Sequence, residues 1–190
     1  MDRGQALALV KKYNSDERDL IHYKESEAVM RQLAEKIGEN IEYYGMLGLV
    51  HDIDWGLTKN DVKTHLTKAP ELLKGAGFDD KFIEDVLSHG YGFSELPHLQ
   101  DKKRIKKIQF ALAASETITG LIHAYALMRD KRISDMKVKG LKKKFKDKTF
   151  AAKVDRGVIR EAENLGISLD EFFELAIEGI KKIKEDVGFS

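Results

Sequence analysis

The 190-residue chain has no cysteine, which excludes disulfides and any thiolate-held metal; a bound ion would have to be held by nitrogen and oxygen. Prolines number two and tryptophan one. No stretch approaches the roughly 18 consecutive apolar residues that read as a membrane span. The opening MDRGQALALVKKYN carries its charges inside an amphipathic pattern and lacks the continuous apolar run of a signal peptide. These absences lead us to expect a cytoplasmic protein with no membrane partner. Net charge is also nearly absent, at +1, and with 42% hydrophobic and 34% charged residues the composition is that of one globular domain with a real core.

The near-neutral total hides an asymmetry. Between Lys131 and Lys148 stand nine Lys or Arg residues against two Asp. The six histidines, at 22, 51, 65, 89, 98 and 123, all lie before that segment. We therefore expect a single domain in which 1–129 forms a histidine-bearing core. Residues 130–190 add a basic segment and C-terminal helices packed on it.

Strand signals are nearly missing and helical periodicity dominates, so the fold class is all-α. Helices are expected over about Asp2–Tyr13, Asp16–Gly38 and Asn40–Asp52, the last apolar on most faces and hence central. Pro70 marks a helix start in the Thr67–Pro70 stretch, and Asp79 caps a short helix through Leu87. A long helix is expected from about Asp101 to Met128, then one near Phe150–Leu165. Ser168-Leu-Asp-Glu171 is a capping box that opens the last helix. HGYGFSELP, residues 89–97, reads as a loop.

Four sites put polar residues where these stripes want apolar ones. His22 lies in line with Ser26, Val29, Leu33 and Ile37, and His51-Asp52 ends the most apolar helix. His89 follows Phe82 and Val86, and Glu116 stands with Ile105, Ile108, Leu112, Thr119 and His123. Each alone has a plain explanation: a satisfied core histidine, or a carboxylate paired with one of many lysines. Together, on separate helices, each would need its own buried partner, because desolvating an unpaired carboxylate costs several kcal/mol or more. One divalent cation meets all these needs, since imidazole nitrogen and carboxylate oxygen are its natural ligands.

The order of these residues resembles the HD superfamily of metal-dependent phosphohydrolases. It is carried by His22 in IHYKESEAVM, His51 and Asp52 in GLVHDIDW, and the acidic position of AASETITGLIHAYALMR. With LSHGYGF and VKGLKKKFKDKTFAA, the likeness extends over nearly the whole chain, to a small single-domain branch. The resemblance implies an HD-type helical bundle with a basic C-terminal helical extension and a metal held by His22, His51, Asp52 and Glu116. His65 and His89 match positions where two-metal members place further histidines, so they are candidates for a second ion, a phosphate contact or general acid catalysis. One departure stands out: aligning the branch's Thr-Gly with Thr119-Gly120 puts Glu116 where the family has aspartate.

This ligand set suits Mn, Fe, Co, Ni or Zn better than Mg, with one or two ions per chain. The implied activity is hydrolysis of a phosphate ester, mono or di, of a nucleotide or similar small phosphorylated molecule. A metal- or ligand-holding module without turnover is the rival reading, prompted by Glu116. An RNA-associated role is less favoured, because the basic segment has little aromatic interleaving. Val138, Leu141 and Phe145 form a short stripe there, so the lysines either surround a packed helix or form a positive rim for substrate. In the second case Lys144 and Lys148, four apart on a helix, are the pair expected to reach a bound phosphate. His123 is expected to pack in the core and His98 to be a surface residue. Asp54 and Lys59 are expected in a solvated loop.

Overall fold

Helix boundaries in the computed structural model, which describes residues 1–190, fall where side chains satisfy free backbone donors. Asp2 accepts from Gln5 to open α1 (Arg3–Tyr13), Asp16 from Arg18 to open α2 (Glu17–Ile37), and Asn40 from Tyr43 to open α3 (Ile41–Val50). Two short helices, α4 (Trp55–Thr58) and α5 (Ala69–Gly75, with Pro70 in its first turn), flank a 3₁₀ turn at Val62–Thr64. Asp79 caps α6 (Asp80–Leu87), which runs on into a 3₁₀ turn at Ser88–Gly90. The rest is α7 (Lys107–Leu127), α8 (Val138–Lys146), α9 (Arg156–Arg160) and α10 (Leu169–Lys182), with 3₁₀ turns at Glu161–Leu165 and Lys184–Val187. There is no strand. Ser168 and Glu171 form the expected capping box on α10.

Two expected helices are shorter than their periodicity suggests. α7 begins at Lys107, not near Asp101, because Arg104 turns inward and the Gln109 side chain accepts from the backbone of Ile105 and Lys106, closing the helix there. Ile105 is 77% exposed and so leaves the buried stripe. The helix expected over Phe150–Leu165 forms only from Arg156. Asp147 caps a turn at Thr149 and Phe150, Ala151 sits in the left-handed region, and the Arg156 guanidinium binds the carbonyls of Ala151 and Val154 at 2.7 Å each. Backbone acceptors here are used by a side chain, which periodicity does not reveal.

α2 is the centre of the bundle and packs on α3, α7 and α10. One continuous hydrophobic cluster of 43 buried residues reaches from Ala6 to Phe189. It includes Leu141 and Phe145 of α8 and Phe172, Phe173 and Ile177 of α10, so the basic segment shares the core of the histidine-bearing part. The α8 stripe is therefore buried, and its lysines surround it. α7 is long and apolar enough in composition to cross a membrane, but most of that stretch is buried inside the bundle.

α2 and α3 approach so closely at Gly48 that a Cβ there would lie 2.7 Å from the carbonyl oxygen of Ser26 and 2.8 Å from the amide nitrogen of Glu27. Both obstacles are backbone, so neither can swing aside. This contact brings the C-terminal end of α3, and hence His51, against His22 on α2. Gly48→Ala should therefore push the helices apart and destabilise the fold by about 1–3 kcal/mol, the range for overpacking. Urea denaturation measures this; an unchanged midpoint would mean the close approach can relax at no cost.

Candidate metal centre

The site gathers where α3 ends. His51 is fully buried and follows the last turn of α3, while Asp52, next in the chain, keeps 15% of its side chain exposed. His22 comes from α2, His65 from the residue after the Val62–Thr64 turn, and His89 from the Ser88–Gly90 turn. Four imidazoles from four places in the chain thus meet around one carboxylate. His65 and His89 stand 3.2 and 3.1 Å from Asp52 Oδ1, His51 3.6 Å from it, and His22 3.9 Å from Oδ2, all measured from Nε2.

What each ring does with its other nitrogen decides the chemistry. His51 Nδ1 donates to the carbonyl of Gly48 at 2.8 Å, and His89 Nδ1 to that of Val86 at 2.7 Å. His65 Nδ1 donates to Asp54 at 3.0 Å. His22 Nδ1 lies 2.8 Å from the Thr119 hydroxyl, whose own proton goes to the Glu116 carbonyl at 2.6 Å, leaving the hydroxyl oxygen to accept. With every Nδ1 engaged outward, the four rings turn their Nε2 atoms inward, where each offers a lone pair whenever it carries no proton. Outer hydrogen bonds of this kind orient metal-ligating histidines.

Without a cation the arrangement is poorly satisfied. Nε2 of His22 and Nε2 of His51 face each other at 3.1 Å, two lone pairs that only a shared cation or proton makes attractive. His89 Nε2 is buried and has no hydrogen-bond partner, although Asp52 is close. A buried polar nitrogen left in that state is costly. The ligand atoms fall into two groups, His22–His51–Asp52 and Asp52–His65–His89, each with its atoms within 4.8 Å of one another and both sharing Asp52. The cluster has the donors and spacing to hold a metal ion.

Electrostatics follow from burial and charge. Burial drives the His51 pKa down to about 3, with Asp52 opposing, so this ring is neutral. Burial also opposes protonation of His65, but the Asp52 and Asp54 carboxylates outweigh it and push that pKa up to about 10. Burial would raise Asp52; the imidazoles crowded against it, His51 and His65 first and then the His65 and His89 hydrogen bonds, overcome this and hold it well below the usual carboxylate range.

Glu116 lies on α7 at the edge of this group. Burial pushes its pKa up, and His89 and His22 pull it back. Its carboxylate accepts from the neighbouring Thr117 hydroxyl and belongs to neither of the two ligand groups. Of the six residues singled out for metal or catalysis, five converge and the sixth turns aside.

Asp54 corrects its expected place. It is fully buried and accepts from His65 Nδ1 and from the backbone amides of Leu66, Lys68 and Ala69. It holds Leu66 in the left-handed region at φ 68°, a conformation costly for a branched residue, and so fixes His65 just before it. Arg104 does the same for His89: its guanidinium donates to the carbonyls of Ser88, His89 and Tyr91 and binds both oxygens of Glu161. No helical pattern marks either residue, because both act from irregular backbone. Trp55 closes one side, its ring edge-on to His65 at 5.1 Å.

The remaining candidates lie elsewhere. α8 ends at Lys146, so Lys148 does not share a helical face with Lys144, and the Lys144 ammonium sits over the Phe150 ring at 4.7 Å. His123 is half-buried and pairs with Glu25 at 2.9 Å beneath Phe189, not with Glu116. His98 is exposed, as is Lys59, which pairs with Asp19.

Comparison of the chain with protein-family models, with curated proteins and with solved structures yields no match.

Asp54→Ala would leave His65 Nδ1 and three backbone amides without their acceptor. It should cost about 3 kcal/mol or more of stability, and Asp54→Asn, which keeps one carbonyl oxygen, distinctly less. Equal denaturation midpoints for wild type and Asp54→Ala would show that this carboxylate does not hold the His65 turn.

Proposed function

We propose that the chain is a metal-dependent phosphohydrolase of the HD type, acting on a phosphate ester of a nucleotide or similarly small phosphorylated molecule. The observation that carries the reading is the inward turn of four Nε2 atoms around Asp52, each ring locked from outside by its Nδ1 hydrogen bond. A nitrogen and carboxylate donor set of this kind favours Mn, Fe, Co, Ni or Zn over Mg. The two groups sharing Asp52 fit one ion each, with His22 and His51 on one side and His65 and His89 on the other. When bound, such ions supply Lewis acidity to a phosphoryl oxygen and acidify a water into a nucleophile.

The protein's own groups set the terms of the reaction. Asp52 places negative charge at the centre, in contact range of all four rings, and keeps a small part of its side chain exposed. His22 is the most open of the four rings, with 30% of its side chain exposed, so a phosphate ester reaches the centre from its side. His65, backed by Asp54, is the residue placed to hold or pass a proton at Nε2 toward a leaving oxygen when it is not a ligand. Trp55 and Tyr23 line the centre with aromatic rings, edge-on to His65 and His51 respectively.

A metal-holding module without turnover is the second reading, and Glu116 is the reason for it. Its carboxylate must leave the Thr117 hydroxyl before it can join the ligands, and its arm is one methylene longer than the aspartate of the resembled family.

Elemental analysis of the purified protein, paired with a panel of phosphate esters under added Mn, Ni and Zn, tests the proposal. Near-stoichiometric metal that is lost in His51→Ala, together with hydrolysis of at least one ester, is the expected result. Metal without turnover would leave the second reading, and no metal with no stabilisation by added ions would defeat both. Glu116→Gln should weaken metal binding by roughly tenfold if this carboxylate completes the set, a loss comparable to removing a positioning partner. Unchanged metal content in Glu116→Gln would place it outside the ligands.

A further inference from the structure

A second concave site lies where the C-terminal end of α7 meets α8. This groove of about 530 Å³ is lined by Tyr125, Met128, Arg129, Asp135 and Asp147, by Gly140, and by Lys137, Lys139, Lys143 and Lys144. None of these residues belongs to the histidine cluster or to the partners that orient it. Tyr125 lies six residues beyond Thr119 on α7, about 9 Å along the axis and turned well away from the His22-facing side.

The charges in the groove do not cancel. Asp135 is taken by Arg129, and Asp147 accepts from the Thr149 amide and hydroxyl and from the Phe150 amide. None of Lys137, Lys139, Lys143 and Lys144 has a carboxylate within 4.0 Å. Two of them stand in an unfavourable place: Lys137 is the N-cap of α8 and Lys139 lies in its first turn, which has no acidic residue and no side-chain cap. Lysines there add positive charge to the positive end of the helix dipole. The close approach of Tyr125 is also built in, since a Cβ on Gly140 would fall within 3 Å of the Tyr125 hydroxyl.

We infer that this groove is a binding site for a compact polyanion, the phosphate chain of a small phosphorylated molecule, separate from the metal centre. Lys137, Lys139 and Lys143 bring three ammonium groups with no carboxylate or aromatic partner to one hollow, beside Lys144, which lies over the Phe150 ring; they repel each other, and an anion seated among them turns that repulsion into charge-assisted hydrogen bonds. The ring of Tyr125 argues against base stacking as the main contact. Arg129 and Lys144 already lie over it, at 5.3 and 5.9 Å, so the groove offers charge and not an open aromatic face. The inference stands on the groove alone and does not depend on the metal centre being catalytic.

Pyrophosphate titrated calorimetrically into the full-length protein tests it. The double variant Lys139→Gln with Lys143→Gln should bind at least about tenfold more weakly, as expected for two lost charge-assisted contacts. Lys139→Arg with Lys143→Arg should retain binding, and so should Asp52→Asn, which alters only the metal centre. Lys11→Gln with Lys12→Gln, an equal change of charge on exposed α1 positions, should have no comparable effect. ATP binding no more tightly than tripolyphosphate would identify the phosphate chain as the recognised part, and tighter ATP binding a nucleotide held by that chain; both support the site. Equal binding by the Gln double variant, an equal loss from the α1 control, or loss in Asp52→Asn alone would overturn it. Tighter binding of a short single-stranded RNA than of either polyphosphate would also overturn it, assigning the groove to nucleic acid.

Discussion

Four imidazole rings face inward because their outer nitrogens are already committed, and much of the fold around them serves to keep those commitments. The Gly48 carbonyl that holds His51 is on the same turn of α3 that presses against α2. The Val86 carbonyl that holds the His89 ring lies in the last turn of α6, and Arg104 fixes the backbone of His89 itself through its carbonyl. Thr119 holds His22 only because its own proton goes to the Glu116 carbonyl, so the helix carrying the late acidic residue also orients the earliest histidine. Asp54 holds His65 and the strained backbone after it with one fully buried carboxylate. The price of this order is four inward-facing imidazole nitrogens and a carboxylate crowded together, which a bound cation converts from a liability into a ligand set.

Much of this was legible in the sequence, and for identifiable reasons. The bundle could be read because its helices carry clear stripes and strong caps at Asp16, Asn40, Asp79 and Ser168. His22, His51, Asp52 and His89 could be read because each breaks an apolar pattern, and a polar residue on a buried face needs a reason. The orienting residues could not. Asp54 sits two positions after Asp52 in a stretch with no helical period, so nothing distinguishes a carboxylate accepting four hydrogen bonds from one in solvent. Arg104 was hidden within the expected helix, and its inward turn is the reason that helix begins later. Lys144 and Lys148 looked like a pair only on the premise of a continuous helix, which Asp147 ends.

Charge is arranged as two separate centres. The histidine cluster gathers imidazole nitrogen around carboxylates, a donor set that could hold a cation, while the α7–α8 groove gathers lysines around a hollow. The near-zero net charge of the chain thus hides two local imbalances of opposite character. Because the hydrophobic cluster is continuous through α2, α7, α8 and α10, both sites rest on one rigid core.

The central claim is that the inward Nε2 atoms form a ligand set. Anomalous diffraction from crystals grown with Mn or Zn tests it most directly. The account predicts ions in contact with Nε2 of His22 and His51, or of His65 and His89, with a carboxylate oxygen of Asp52 completing each set. Crystals with no anomalous peak there, or rings that have flipped to bind through Nδ1 and abandoned Gly48, Val86, Asp54 and Thr119, would contradict it.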